Sequence, residues 1–151
     1  MKILIAEDDN FKMKTLEDFF VSDFEGVSIT ITKSKQETIR SISEHNYDLI
    51  LLDMTMPSYE GESEMERGEL RPLAGSDIIS RMAYRKTFIP TIVVTQFEVF
   101  GRGSGISQID KVMAELKEKF PEIVKGHVLF NLQSSTWRNE LKTLVDGVFH
   151  D

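Results

Sequence analysis

Cysteine is absent from the 151-residue sequence, and its absence excludes disulfides and thiolate metal sites. It also makes a reducing, cytoplasmic environment the natural expectation. Basic residues are too few for a nucleic-acid surface, which requires a basic patch: 18 Lys and Arg stand against 25 Asp and Glu, for a net charge of −7. No apolar run approaches the length of a membrane span, and the start MKILIAEDDN turns acidic too early for a signal peptide. We therefore expect no direct contact with nucleic acid or membrane.

Short apolar runs alternate along the chain with amphipathic segments. The runs fall at residues 3–6, 27–31, 49–52, 91–95 and 128–130. This repeated alternation predicts a single α/β domain over residues 1–151, with a doubly wound, five-stranded parallel sheet between two layers of helices. The run at 27–31 alternates with Ser and Thr, as an edge strand does, whereas continuous aliphatic runs are typical of central strands. The flavodoxin-like strand order 2-1-3-4-5 is consistent with that division.

Polar residues that precede amphipathic segments indicate three helix starts. Asn10 is predicted to cap the first helix, Ser34 forms a capping-box pattern with Glu37, and Ser76 is predicted to cap a later helix. Two connections, residues 54–75 and 96–108, are unusually long for a compact domain, where long loops are generally functional or disordered. Together they could form a partner surface or a lid.

Carboxylates follow two strands that the predicted order places side by side. Glu7, Asp8 and Asp9 follow the first strand, and Asp53 follows the third within LILLDMTMP. Ligands of such sheets bind at the carboxyl ends of the strands, where the strand order reverses, which here is between strands one and three. These carboxylates are therefore expected at one place, although Asp9 is better explained as a favourable charge at a helix N-terminus than as a ligand.

Such a cluster requires a proton or a cation. Two carboxylates about 5 Å apart repel by roughly 3 kcal/mol at an effective dielectric constant of about 20, so three of them cannot all stay ionised unaided. A site with oxygen ligands, few of them from the protein, suits Mg²⁺. An aspartate beside Mg²⁺ can attack phosphorus, because the metal neutralises the phosphoryl oxygens as charge develops.

These motifs together resemble the receiver domain of two-component response regulators. The similarity runs in order over nearly the whole chain: Glu7-Asp8-Asp9 after ILIA, Asp53 after LILL with Met56-Pro57 following, and Thr95 at the end of TIVVT. The resemblance implies that Asp53 is the phosphoacceptor and that Thr95 supplies the switch hydroxyl.

The resemblance also implies a Mg²⁺ site at the same place. Asp8 would bind the ion directly and Glu7 through water, while Asp53 and the backbone carbonyl of Thr55 would complete the protein ligands. It further implies Mg²⁺-dependent self-phosphorylation from a phosphodonor rather than the turnover of a conventional enzyme.

The end of the fifth strand departs from the receiver pattern. The family has a lysine there that holds the phosphoryl oxygens, followed by proline, but no lysine lies between Lys125 and Lys142. The candidates to replace it are neutral donors in this segment: Asn131, Ser134 and Ser135. Since charge-assisted hydrogen bonds are roughly twice as strong as neutral ones, we expect weaker stabilisation of a phosphoryl group.

Two switch positions depart from the pattern as well. The aromatic switch residue of the fifth strand has either His127 or Phe130 as its counterpart. Gln96 follows Thr95, where the family usually has a small residue, and its side chain could orient a water molecule or obstruct the pocket. No acid or base partner is evident for the three histidines, so structural or solvent-facing roles are expected for them: His45, His127 and His150.

Three functions remain open from the sequence. The first is a phosphoacceptor receiver that takes a phosphoryl group from a histidine kinase or phosphotransfer protein on Asp53 and regulates an effector protein. The second is a receiver-like interaction module with weakened or absent phosphotransfer, motivated by the missing lysine, Gln96 and the long loops. The third is a phosphohydrolase resembling haloacid dehalogenase-like enzymes, which fits poorly because position 55 is threonine where that family usually has an aspartate.

The sequence leaves the assembly of the protein open. It is compatible with a monomer and with a homodimer. It is equally compatible with a stand-alone receiver and with one domain of a longer chain.

Overall fold

Strands and helices alternate along the chain, as the sequence pattern predicts. The structure, a computed structural model, describes residues 1–57, 59, 73–96 and 105–149, and for residues 105–109 it describes the backbone alone. The strands are β1 (Lys2–Ala6), β2 (Ser28–Thr32), β3 (Leu49–Leu52), β4 (Thr91–Gln96) and β5 (Val124–Phe130). The helices are α1 (Asn10–Asp23), α2 (Lys35–Glu44), α3 (Ala74–Tyr84), α4 (Gly105–Lys119) and α5 (Thr136–Phe149).

The strands form one parallel sheet in the order β2-β1-β3-β4-β5, which confirms the predicted fold class. β1 lies between β2 and β3, so the strand order reverses between β1 and β3. Ala6 of β1 pairs in register with Leu52 of β3. The residues that follow these two therefore emerge next to each other at the carboxyl edge of the sheet.

Helices cover both faces of the sheet, which explains why its central strands are continuously aliphatic. Successive side chains of a strand point to opposite faces. The side chains packed with α1 and α5 include Ile3, Ile5, Leu49, Leu51, Ile92 and Val94. Those on the face covered by α2, α3 and α4 include Leu4, Ala6, Ile50, Leu52 and Val93. At the edge, β2 leaves Ser28 and Thr30 exposed, as its alternating sequence predicts.

The start of α2 confirms the predicted capping box. The Ser34 hydroxyl accepts a hydrogen bond from the Glu37 N–H at 3.1 Å. The Glu37 carboxylate in turn accepts from the backbone N–H of Lys33 at 2.7 Å, one residue before the cap. Two otherwise unpaired backbone donors are thereby satisfied.

The predicted caps of two other helices are wrong. Asp9, rather than Asn10, caps α1, because its carboxylate accepts from the Lys12 N–H at 2.9 Å while the Asn10 side chain accepts from the Lys33 ammonium. Helix α3 begins at Ala74, ahead of the predicted cap Ser76, and has no side-chain cap. Its first turn is instead tied to the chain after β3, because the Gly75 N–H donates to the Met54 carbonyl.

Parts of the two long connections lie outside the described residues, namely 58, 60–72 and 97–104. Their role as a partner surface or lid stays a prediction. Among the described helices, none combines the length and the apolar character that crossing a bilayer requires.

Candidate functional site

Three of the predicted carboxylates meet between the carboxyl ends of β1 and β3. One oxygen from each of Glu7, Asp8 and Asp53 lies within 4.8 Å of the others. The sheet backbone fixes this arrangement, because the Asp53 N–H donates to the Ala6 carbonyl at 3.0 Å and the Glu7 N–H donates to the Thr32 carbonyl at 2.9 Å. The structure thus brings together the acids that the sequence places at the strand ends.

A lysine that the sequence analysis did not single out lies inside this acidic cluster. Lys12, in the first turn of α1, places its Nζ 2.6 Å from Glu7 Oε1 and 3.6 Å from Asp53 Oδ1. The same Nζ donates to the Val94 carbonyl at 2.7 Å. Lys12 and Glu7 are each 2% exposed and Asp53 is 5% exposed. All three side chains are therefore largely removed from water.

Burial and like-charge repulsion shift the ionisation of the cluster. Burial raises the pKa of Glu7 to about 8, repulsion from Asp53 adds to the rise, and Lys12 opposes it. Burial alone would lower the pKa of Lys12, but attraction to Asp53 and Glu7 outweighs it, so this pKa is raised. Lys12 therefore stays charged at neutral pH, whereas Glu7 binds a proton far more readily than an exposed glutamate does.

Thr95 contributes a buried hydroxyl near the same edge of the sheet. It is fully buried, and its Oγ1 has no hydrogen-bond partner among the described residues. The register pairs Val93 with Leu52, which places Thr95 one residue beyond the level of Asp53. A buried hydroxyl without a partner is costly, so this atom is a natural donor to a group bound at the site.

The turn after Asp53 is held by close packing against α3. The Gly75 N–H donates to the Met54 carbonyl at 3.1 Å. A Cβ at position 75 would lie 2.9 Å from Met54 Cα and 2.5 Å from Met54 Sδ. Only glycine allows this approach, which fixes the backbone beside Asp53. Thr55, whose carbonyl is a predicted metal ligand, is half-buried in the same turn.

Two of the three residues proposed to replace the missing lysine accept hydrogen bonds within the connection after β5. The Asn131 side-chain oxygen accepts from the Gln133 N–H at 2.9 Å, and the Ser134 hydroxyl accepts from the Thr136 N–H at 3.1 Å. Ser135, like these two, is exposed. In both bonds the side chain is the acceptor, and neither bond reaches the acidic cluster, so the replacement of the missing lysine by a neutral donor stays a prediction.

Of the two aromatic candidates on β5, Phe130 is the one with a described contact to the cluster. Its ring centroid lies 5.9 Å from Lys12 Nζ and 5.1 Å from the ring of Trp137. His127 instead places Nε2 3.5 Å from Asp110 Oδ1. The sequence does not reveal this neighbour, which α4 presents beside β5, and the contact is compatible with the structural role expected for His127. Gln96, half-buried, ends β4 and pairs in register with Phe130.

A separate cavity of about 440 Å³ lies between α2 and α3. It is lined by residues that precede β3 and β4, such as Tyr47 and Ile89. It therefore opens near the amino ends of these strands, at the edge opposite the carboxylates, and is distinct from the acidic site.

The sheet order, the acidic switch point, the aspartate after β3 and the threonine near the end of β4 together define a receiver domain. The sequence profile of the family described as "Response regulator receiver domain" matches residues 3–100, and the chain belongs to this family. Among its relatives, the Detocs response regulatory protein DtcB of Enterobacter cloacae (strain JD6301) is 48% identical over 143 residues, which cover 93% of this chain and 95% of the relative.

Solved receiver structures share the fold. The Francisella response regulator 1452 receiver domain matches with a TM-score of 0.65 and 17% identity, over 99% of this chain and 96% of that one. The receiver domain of the sensor histidine kinase PA1611 from Pseudomonas aeruginosa PAO1, solved with magnesium in its active site cleft, matches with a TM-score of 0.60 and 18% identity over 99% and 98% of the two chains. At these identities the likeness concerns the fold alone.

The donor set fits a hard divalent cation, which receiver domains typically bind at an acidic site. The clustered side-chain ligands are all carboxylate oxygens within 4.8 Å of one another, and Mg²⁺ prefers such ligands. The Lys12 ammonium already compensates one negative charge and contacts two of the three acids. A cation at this site would therefore share Glu7 and Asp53 with Lys12.

Proposed function

We propose that this chain is a phosphoacceptor receiver that takes a phosphoryl group from a histidine kinase or phosphotransfer protein on Asp53. The main support is the position of Asp53, 5% exposed and with an oxygen within 4.8 Å of oxygens of Glu7 and Asp8. Receiver domains interact with kinases and effectors, so phosphorylation would change the affinity of this chain for an effector protein.

The proposed reaction is a single displacement at phosphorus. A carboxylate oxygen of Asp53 forms a bond to the phosphorus of a phosphohistidine while the phosphorus–nitrogen bond breaks, and the departing imidazole takes a proton from solvent. The Thr95 hydroxyl, which has no partner among the described residues, would donate to a phosphoryl oxygen.

Four groups of this chain would hold Mg²⁺ in the reacting state. They are the carboxylates of Glu7, Asp8 and Asp53 and the backbone carbonyl of Thr55. When bound, the ion supplies positive charge that offsets the charge of the phosphoryl oxygens. Because the acids lie on adjacent strand ends, the sheet holds them together before any ligand arrives.

Intact mass spectrometry tests the proposal. Purified protein is incubated with acetyl phosphate, with and without Mg²⁺, and we expect a Mg²⁺-dependent gain of one phosphoryl group. Asp53→Asn should abolish the gain, whereas Asp18→Asn, at an exposed aspartate on α1, should leave it intact. The proposal fails if the unaltered protein gains no phosphoryl mass while a known receiver does so in the same buffer.

A second candidate is an interaction module of receiver fold with weakened or absent phosphotransfer. The end of β5 favours it, because Phe130 is buried there and no lysine lies between Lys125 and Lys142. This function predicts that Asp53→Ala leaves signalling in cells unchanged. Loss of signalling by a folded Asp53→Ala variant would contradict it and favour the phosphoacceptor.

A further inference from the structure

A phosphorylated Asp53 would need a positive side chain in addition to a divalent cation. With Glu7 and Asp8 ionised, these two acids and a phosphoaspartate together carry about four negative charges, since the acyl phosphate bears roughly two in place of the single charge of the Asp53 carboxylate. One divalent ion offsets two of them. Within the described part of the chain, Lys12 is the one lysine or arginine that forms an ion pair with Asp53.

Short contacts hold the Lys12 ammonium in the acidic cluster. Lys12 lies in the first turn of α1, where its backbone N–H donates to the capping carboxylate of Asp9 at 2.9 Å. Its Nζ then reaches Glu7 Oε1 at 2.6 Å and the Val94 carbonyl at 2.7 Å. With 2% exposure, the side chain has little freedom to leave the cluster.

The Lys12 ammonium forms short hydrogen bonds to Glu7 and Val94 but not to Asp53. A lysine ammonium carries three N–H donors, and two of them are accounted for by Glu7 and Val94. Asp53 Oδ1 lies at 3.6 Å, beyond normal hydrogen-bond distance. An oxygen attached through Asp53 would project beyond Oδ1 and could accept this donor.

The positive charge in the cluster comes from α1, and the end of β5 carries a phenylalanine. Phe130, the last residue of β5, is 4% exposed and contacts both the Trp137 ring and the Lys12 ammonium. The end of β5 therefore brings an aromatic ring, and no positive charge, beside the cluster. The ammonium enters instead from the helix on that face of the sheet.

We propose that Lys12 is the residue that binds the phosphoryl group on Asp53, an inference that rests on the proposed phosphoacceptor function. Its ammonium donates to a phosphoryl oxygen while keeping its bond to Val94. The same ammonium competes with a divalent cation for Glu7 and Asp53. Lys12 therefore acts in opposite directions on two ligands, weakening the binding of the metal alone and strengthening the binding of a phosphoryl group.

Two titrations of Lys12→Met separate these effects. Methionine keeps a long apolar side chain but removes the charge. Calorimetry with Mg²⁺ alone should show tighter binding to Lys12→Met than to the unaltered protein. Fluorine NMR with beryllofluoride, a phosphoryl mimic, at saturating Mg²⁺ should show binding weakened roughly tenfold to a hundredfold, as expected for loss of a charge-assisted hydrogen bond.

Control variants separate charge from structural damage. Lys14→Met removes an exposed lysine of the same helix and should change neither titration. Lys12→Met combined with Phe130→Lys moves the charge to the end of β5 and should recover part of the beryllofluoride affinity. If either variant at position 12 lacks a cooperative thermal transition, Lys12→Gln is measured by the same two titrations and judged by the same criteria.

The outcomes distinguish the two proposals. Unaltered protein that binds Mg²⁺ and beryllofluoride, together with a Lys12→Met variant of equal beryllofluoride affinity, would overturn the role of Lys12 and leave the phosphoacceptor function standing. Parallel loss of both ligands in Lys12→Met would also overturn it, since a structural role predicts that result. Unaltered protein that binds neither ligand and gains no phosphoryl mass would overturn both proposals.

Discussion

The raised pKa of Glu7 makes the stability of this protein depend on pH in an unusual direction. Burial raises this pKa from 4.5 to about 8, so between these values the folded protein holds a proton that the unfolded chain has released. Stability changes with pH in proportion to the difference in bound protons. The contribution of Glu7 is therefore fully favourable below pH 4.5 and is lost progressively as the pH rises toward about 8.

The size of the effect follows from the same two values. Each unit of pH within the window costs at most about 1.4 kcal/mol. Between pH 5 and pH 7 the free energy of unfolding should fall by roughly 2 to 3 kcal/mol on account of Glu7. Glu7 is 2% exposed, so screening by water reduces this figure little.

Urea unfolding in a Mg²⁺-free buffer measures the effect. The unaltered protein and Glu7→Gln are compared at pH 5, 6 and 7, because glutamine imitates the protonated side chain. The difference in unfolding free energy between them should change by roughly 2 to 3 kcal/mol across this range, in favour of Glu7→Gln at pH 7. Glu25→Gln, at an exposed glutamate, should run parallel to the unaltered protein. Equal pH dependence in the unaltered protein and Glu7→Gln would refute the assignment of a raised pKa to Glu7.

Two further predictions concern the elements that hold the site. Gly75→Ala should destabilise the protein by about 1 to 3 kcal/mol, because the new methyl group would collide with Met54; Gly147→Ala, in open space on α5, should be neutral or stabilise it by up to about 1 kcal/mol. Thermal and urea unfolding compare the pair, and equal effects would contradict the packing argument. Ser34→Ala should cost about 1 kcal/mol through loss of the bond from the Glu37 N–H. Urea unfolding with an unchanged midpoint would show that this cap contributes nothing.

Local patterns explain how much of the fold could be predicted. The aliphatic runs LILL and TIVV mark strands covered on both faces, and the alternation around Ile29 marks the exposed edge. Once the order of strands is set, register alone brings the residues after Ala6 and Leu52 together. The acidic convergence was thus predictable, because it depends on positions at strand ends rather than on side-chain detail.

Features that depend on tertiary packing could not be predicted in the same way. The start of α3 is set by the close approach of Gly75 to Met54, which no local polar pattern indicates. Lys12 was missed for a related reason, since a lysine near a helix start is normally solvated. A signal was present, because Lys12 falls on the same helical stripe as Leu16 and Phe19, both buried. A lone charge on an apolar stripe has to find partners inside the protein.

The charges of the site couple the binding of a proton, a divalent cation and a phosphoryl group. Three carboxylates and one ammonium leave two negative charges when every acid is ionised, which one divalent cation offsets. A proton on Glu7 removes half of that net charge, so protonation of Glu7 and metal binding oppose each other. The affinity for Mg²⁺ should therefore rise with pH up to about 8. Phosphorylation replaces the single negative charge of the Asp53 carboxylate with roughly two and so favours retention of the metal and a direct contact with Lys12. The retained metal in turn competes with the proton for Glu7. Phosphorylation would thereby change the protonation, the metal occupancy and the α1 contact together, because all three share the same buried oxygens.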